Sequence, residues 1–276
     1  MPNILEKYQR QPKLYIDLPS KGRWYPPNAL AKSDELAIYS MTASDEIATK
    51  TPDALFSGNT TVNIIQNCVP EIKNAWEVPS TDIYTILSAI RMASYGDNMS
   101  IDSTCEKCDE ENTYAISLQS IIDYFVTQEY IDTCKVDNIT FELAPLSYKE
   151  FNEINKINFK LQRQIVQVIP TIESEDDQAK ELQKIYDQLS ELKFKSICTS
   201  VVSVEVLEEE EKESDYNNIL NFLKNSEKEF YNAVESAIIK NNNIWAVPPT
   251  DVVCASCENK YQLSLELDYS NFFDQR

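Results

Sequence analysis

Four of the seven cysteines in this chain of 276 residues fall into two Cys-x-x-Cys pairs. Cys105 and Cys108 lie in "TCEKCDEENTYAISL", and Cys254 and Cys257 lie in "VCASCENKYQLSL". A Cys-x-x-Cys in a tight turn aims two sulfurs at one point, and two such turns supply the four thiolates of a closed tetrahedral zinc site. Three readings compete: a redox pair, two independent sites, or two halves of one metal site. A redox pair belongs at a helix N-terminus, where the dipole lowers the thiol pKa. Here an apolar–polar alternation, the mark of a strand, follows each pair. Iron–sulfur ligation also uses four cysteines, and sequence leaves it open. The expectation is one structural zinc per chain on Cys105, Cys108, Cys254 and Cys257, with no position left for a substrate.

The two segments resemble each other beyond the ligands. Asp109 matches Glu258. With two residues removed from the first copy, Tyr114 falls on Tyr261, Ile116-Ser117-Leu118 on Leu263-Ser264-Leu265, and Phe125 on Phe272. A turn followed by a strand, twice, is the zinc-ribbon arrangement. The 145 residues from Cys108 to Cys254 are many for a ribbon. Loop-closure entropy grows only logarithmically, so a folded insertion is tolerable. Of the remaining cysteines, Cys68 lies beside an apolar helical stripe and reads as a core thiol, Cys134 opens a hairpin, and Cys198 lies in an apolar stretch.

Other chemistry is closed off by composition. There is no histidine, which removes Ser-His-Asp, Cys-His and His-based zinc catalysis. Gly22, Gly58 and Gly96 are the only glycines, too few and too scattered for a phosphate-binding loop. The acid pairs Asp45/Glu46 and Asp176/Asp177 read as solvated helix caps. No enzyme is expected, and no small-molecule substrate. The net charge of −20 repels nucleic-acid phosphates and anionic membranes. The basic stretches "QRQPK" and "KINFKLQRQ" are sparse and read as solvated faces. No apolar run is long enough to span a bilayer, and the N-terminus lacks the apolar segment of a secretory signal. A reducing cytosol is the expected compartment, where cysteines bind metal or pack rather than pair.

The elements that would position the cysteines can be read from periodicity and caps. "KLYIDLP" and "ELAIYSM" are candidate strands, with Leu14, Ile16 and Leu18 on one face. "PSKGRWYPP" between them is a turn and a rigid extended segment, with Trp24 a packing aromatic. Helices are expected from Thr42 or Ser44, through "TPDALFSG", and over a stripe of Val62, Ile65 and Val69. The clearest helix is capped by Ser80 or Thr81, carries Ile83, Ile86, Leu87 and Ile90, and stops at Gly96, with Arg91 on its solvated face. "QSIIDYFVTQEYI" suits a short helix and "CKVDNITFELAPL" a hairpin. A helix follows from Ser147 to Ile169, then another through Leu182, Ile185, Leu189 and Leu192. "ICTSVVSVEVL" fits either a continued helix or a strand, and "EEEEKESD" a solvated loop. The last helical region runs through Ile219, Leu223, Phe230, Val234 and Ile238. The fold class is α+β: a mixed N-terminal region over 1–100, a zinc ribbon from 101–130 plus 248–276, and a mostly helical insertion over 131–247.

An ordered series of segments, "QPKLYIDLPSKGRWYPP", "MTASDEIATKTPDALFSG", "NCVPEIKNAW", "DIYTILSAIRMASYGDNM" and "CEKC", resembles the baseplate hub proteins of T4-type contractile-tailed phages. The likeness covers about the first 125 residues, and the C-terminal "WAVPPTDVVCASCENKYQLSLELDYSNFF" looks like the end of longer members. The resemblance implies a structural or assembly role in the tail baseplate, with other baseplate and tail proteins as partners. It places the chain in the host cytoplasm during assembly and then in the virion tail. A hub assembly chaperone that leaves the particle is the alternative. A zinc-ribbon nucleic-acid-binding module would need basic and aromatic neighbours, whereas Glu106, Asp109, Glu110, Glu111 and Glu258 flank the cysteines.

Overall fold

The computed structural model describes residues 9–32, 35–50, 57–207, 211–264 and 273. The features expected at 51–56, 208–210, 265 and 272 lie outside the described residues. The chain forms two compact units: Met1–Gln128 with Trp245–Arg276, and Glu129–Ile244.

The first unit opens with an antiparallel pair, β1 (Leu14–Ile16) and β2 (Leu36–Ile38). Ile16 and Leu18 turn inward while Tyr15 stays 59% exposed. Helix α1 (Ala43–Thr49) starts from a capping box in which Thr42 and Asp45 satisfy each other's backbone N–H. Helix α2 (Asn59–Cys68) buries Val62, Ile64, Ile65 and Cys68. Helix α3 (Ser80–Tyr95) buries Ile83, Ile86, Leu87 and Ile90 and ends on Gly96 at φ 95°.

Two expectations about α3 fail. Its first turn has no side-chain cap and begins instead after Pro79, whose fixed φ is already near helical. Its polar side is not solvated: Thr85 and Ser88 are fully buried and Arg91 is 5% exposed, with its guanidinium 5.5 Å from the Tyr95 ring. The cause is burial all round, since a helix packed on every side has no face left for water. Helix α4 (Leu118–Val126) carries the fully buried Phe125. That ring is stacked between Tyr84 and Trp245, each with its centroid 5.9 Å away, so the returning chain is tied to α3 and α4.

The second unit is built on a four-stranded antiparallel sheet in the order β5-β6-β7-β8. Strands β5 (Thr133–Val136) and β6 (Ile139–Leu143) form the expected hairpin, with Asp137 at φ 52° in the turn. The apolar run after Cys198 divides: α6 (Glu175–Thr199) ends, and β7 (Val201–Val206) begins two residues later. The described part of the acidic run is a strand, β8 (Glu211–Glu213), rather than a loop. Lys212 explains this, for it reaches across to Glu142 on β6 at 2.6 Å, and Ser203 on β7 donates to the same carboxylate at 2.8 Å. Helix α5 (Tyr148–Arg163) starts from a Ser147–Glu150 capping box, then loosens into a π turn over Gln164–Val168 and a 3-10 turn at Ile169–Thr171, where Pro170 stops it. The last helical region is two helices, α7 (Tyr216–Asn225) and α8 (Lys228–Ile244), broken at Ser226.

Phe141, Leu143, Val204, Ile219, Leu223, Val234 and Ile238 form the core of this unit. Phe141 is fully buried. Phe141→Ala is therefore expected to destabilise this unit by about 3–5 kcal/mol, read by urea unfolding, while metal content stays as in the wild type. Among the described residues no helix is long and apolar enough to cross a membrane.

Candidate metal centre

The cysteines sit at the tips of two hairpins of the first unit. Strands β3 (Asn98–Thr104) and β4 (Glu111–Ser117) flank the first pair, and β9 (Thr250–Val253) and β10 (Lys260–Leu263) flank the second. The two tips fold alike. Asp109 N donates to Cys105 O at 2.8 Å and Cys105 N to Glu110 O at 2.9 Å; Glu258 N donates to Cys254 O at 3.0 Å and Cys254 N to Asn259 O at 2.9 Å. Asp109 and Glu258 both take the left-handed conformation, at φ 57° and 56°.

Thr104 pairs with Glu111, and Val253 with Lys260. The hairpins therefore correspond without a gap, and the two-residue deletion expected after the cysteines is absent. Tyr114 corresponds to Leu263, not to Tyr261. The tyrosines meet instead as partners, with hydroxyls 3.1 Å apart and rings edge to face at 6.2 Å. Tyr114 also donates to Val253 O at 3.1 Å. Burial, then the Tyr261 hydroxyl, raises the Tyr114 pKa.

The four sulfurs all lie within 4.8 Å of one another. The close pairs run between hairpins: Cys105 to Cys257 at 3.7 Å and Cys108 to Cys254 at 3.6 Å. Cys105 and Cys254 are buried, Cys257 is half-buried and Cys108 is exposed. Such a group can hold a metal ion. Backbone amides prepare two thiolates: the Cys257 N–H draws Cys254 down to about 6, and the Lys107 N–H lowers Cys105. Cys108 goes the other way. Against the lowering pull of the Glu110 N–H, the Cys257 sulfur, burial and the Cys254 sulfur push it up to about 12. Four crowded sulfurs resist sharing so much negative charge unless a cation lies among them.

Two asparagines, invisible as ligand candidates in the sequence, complete the surroundings. The buried Asn112 donates to the Cys254 sulfur at 3.5 Å and to Glu110 O at 3.0 Å, and its carbonyl accepts from Ala255 N at 2.9 Å. Asn259 donates to the Cys105 sulfur at 3.9 Å. Each amide thus reaches from one hairpin to a cysteine of the other. They do not occupy corresponding positions, since Asn112 corresponds to Tyr261, and so no repeat pattern could have pointed to them.

No other cysteine joins the four. Cys68 is a fully buried core thiol, with the Arg10 guanidinium 3.8 Å away and burial raising it to about 11. Cys134 and Cys198 pack in the core of the second unit. Asp45 is a capping residue, and Asp176 and Asp177 occupy the first turn of α6.

No curated protein and no solved structure matches this chain significantly. One family does match, described as T4 bacteriophage base plate protein, over residues 12–274. The match takes in both cysteine pairs and all of the unit between them. The chain therefore belongs to the T4 bacteriophage base plate protein family, as a structural component of a phage baseplate.

Proposed function

We propose that this chain is a non-catalytic part of the baseplate hub, stapled by one zinc ion in a ribbon formed from the two hairpins. The observation that carries the metal reading is the sulfur spacing. A tetrahedral ion with Zn–S bonds of about 2.3 Å sets its sulfurs about 3.8 Å apart, and the cross-hairpin pairs stand at 3.6 and 3.7 Å. An iron–sulfur cluster puts a separate iron behind each thiolate or pair of thiolates, which spreads the sulfurs wider than one ion does. All four ligands come from protein, so the ion holds shape rather than a substrate. The ribbon comprises 101–130 with 248–276, flanked by the 1–100 region and the 131–247 insertion.

Family membership supports partners among tail and baseplate proteins and a virion location reached through the host cytoplasm. The exposed Glu106, Asp109, Glu110, Glu111 and Glu258 around the two tips weigh against the nucleic-acid reading of the ribbon. Quantitative mass spectrometry of purified particles tests the role. The hub reading expects the chain at a fixed copy number per particle. Its presence in assembly intermediates alone selects the chaperone that leaves, and its absence from both sinks the baseplate role.

A further inference from the structure

The loop between β1 and β2 is tied down more firmly than an exposed loop needs. Four residues in eight lie at positive φ: Lys21 at 53°, Gly22 at 75°, Trp24 at 66° and Asn28 at 69°. Glycine and, to a lesser degree, asparagine adopt this region readily, whereas Lys21 and Trp24 each cost on the order of 1 kcal/mol there. Strained backbone persists only where its surroundings over-determine it, and it gathers at functional places.

The ties are explicit. Lys21 N donates to Leu18 O at 2.9 Å and Arg23 N to Ser20 O at 3.1 Å. Beneath the loop lies the carboxylate of Asp82, which is fully buried. It accepts from Ser20 N at 2.8 Å, from Ser20 Oγ at 2.5 Å and from the Tyr25 hydroxyl at 3.0 Å.

What this scaffold displays is cationic. Lys21 and Arg23 are exposed, and the Arg23 guanidinium lies 4.2 Å from the ring of the half-buried Trp24. Within the loop itself the charged residues are Lys21 and Arg23, with no acid from Leu18 to Asn28, in a chain of net charge −20.

We propose that the 18–28 loop is a prebuilt docking knob for an acidic surface on a neighbouring baseplate protein. A loop already fixed in shape loses little freedom on binding, which is where affinity is usually lost. Arg and Trp are the side chains that most often anchor interfaces. Opposite charge on the partner steers and registers the contact. A nucleic acid fits less well, because so few cations release few counterions while the rest of the chain repels phosphate. The proposal rests on baseplate membership and on nothing about the metal.

The test is a phage encoding Lys21→Glu with Arg23→Glu, beside phages encoding Lys21→Glu alone and the charge-keeping Lys21→Arg. The chain is quantified in purified particles and in assembly intermediates, and each purified variant is melted. The expected result is at least about a tenfold loss of the charge-reversed chains, full incorporation of Lys21→Arg, and unchanged melting, because opposed charges have become like charges. Should the double variant melt early, Lys21→Glu alone decides, since its side chain is exposed. Wild-type incorporation matched by the charge-reversed chains overturns the docking knob and leaves baseplate membership standing. Wild-type chain missing from particles and intermediates alike overturns both. Salt-sensitive binding of a labelled DNA duplex that charge reversal abolishes overturns the protein partner.

Discussion

Cys254→Ser is expected to bind no zinc and to free the C-terminal hairpin, whereas the wild-type chain is expected to purify with one zinc. Cys254 carries more of the centre than its neighbours do. Its sulfur receives the Asn112 amide, faces Cys108 at 3.6 Å, and is the thiol drawn furthest toward the thiolate. Three sulfurs and a hydroxyl leave the tetrahedron open. Structural zinc is worth about 10–16 kcal/mol in small peptide hosts, so losing even part of it outweighs a four-residue strand pair and one tyrosine contact. Elemental analysis reads the metal, and hydrogen exchange over β9 and β10 reads the hairpin. A chain that keeps its metal after Cys254→Ser, or never holds one, removes the staple. Asn112→Ala separates the ligands from their setting: zinc affinity is expected to fall about 10–100-fold, measured by competition with a chromophoric chelator, with stoichiometry kept at one. Unchanged affinity would make the amide contact incidental.

Asp82→Ala is expected to be the most damaging substitution away from the cysteines. It leaves the Ser20 N–H, the Ser20 hydroxyl and the Tyr25 hydroxyl without their acceptor in a buried place. Orphaned buried donors cost about 1–3 kcal/mol each, so a loss on the order of 3 kcal/mol is expected in the first unit. Hydrogen exchange of 18–28 and of the first turn of α3 localises it. Acidity has its own signature here. Burial raises the Asp82 carboxyl from 3.8 to about 6 in the folded chain. The folded state therefore holds a proton that the unfolded state has lost between those values. The resulting stabilisation is fully present below about pH 3.8 and fades as pH rises through about 6. Asp82→Asn mimics the protonated acid and lacks this fade. The stability advantage of the wild type over Asp82→Asn is expected to shrink from pH 4 to pH 7, and a constant difference would contradict the shifted carboxyl.

Much of this was legible because local rules agreed with the fold. The stripe Ile83, Ile86, Leu87 and Ile90 and the stop at Gly96 define α3, and the start read at Ser147 holds for α5. The four cysteines were legible because ligand type and spacing fix their geometry before any fold is known. The misses share a cause: long-range contacts that leave no local mark. Arg91 sits where periodicity predicts water, yet helix α3 is packed on that side too. Asn112 looks like an ordinary strand residue until the second hairpin, more than 140 residues later, puts Cys254 beside it. The acids at 211 and 213 look like loop until Lys212 finds Glu142 two strands away. The tyrosine repeat misled for the opposite reason, since Tyr114 and Tyr261 are partners across the site rather than copies of one another.

The interruption of the first unit by Glu129–Ile244 sets a clock on the ribosome. Cys105 and Cys108 emerge first and remain half a site while the 116 residues of the second unit are made. At roughly 5–20 residues per second, that wait is on the order of 10 s. During it the second unit can fold whole, while the first lacks two thiols, the hairpin that bears them and the Trp245 face of the Phe125 stack. A nascent chain truncated before Val253 can never close the four-sulfur centre. Closure of the four-sulfur centre thereby waits until the chain has been made past Cys257.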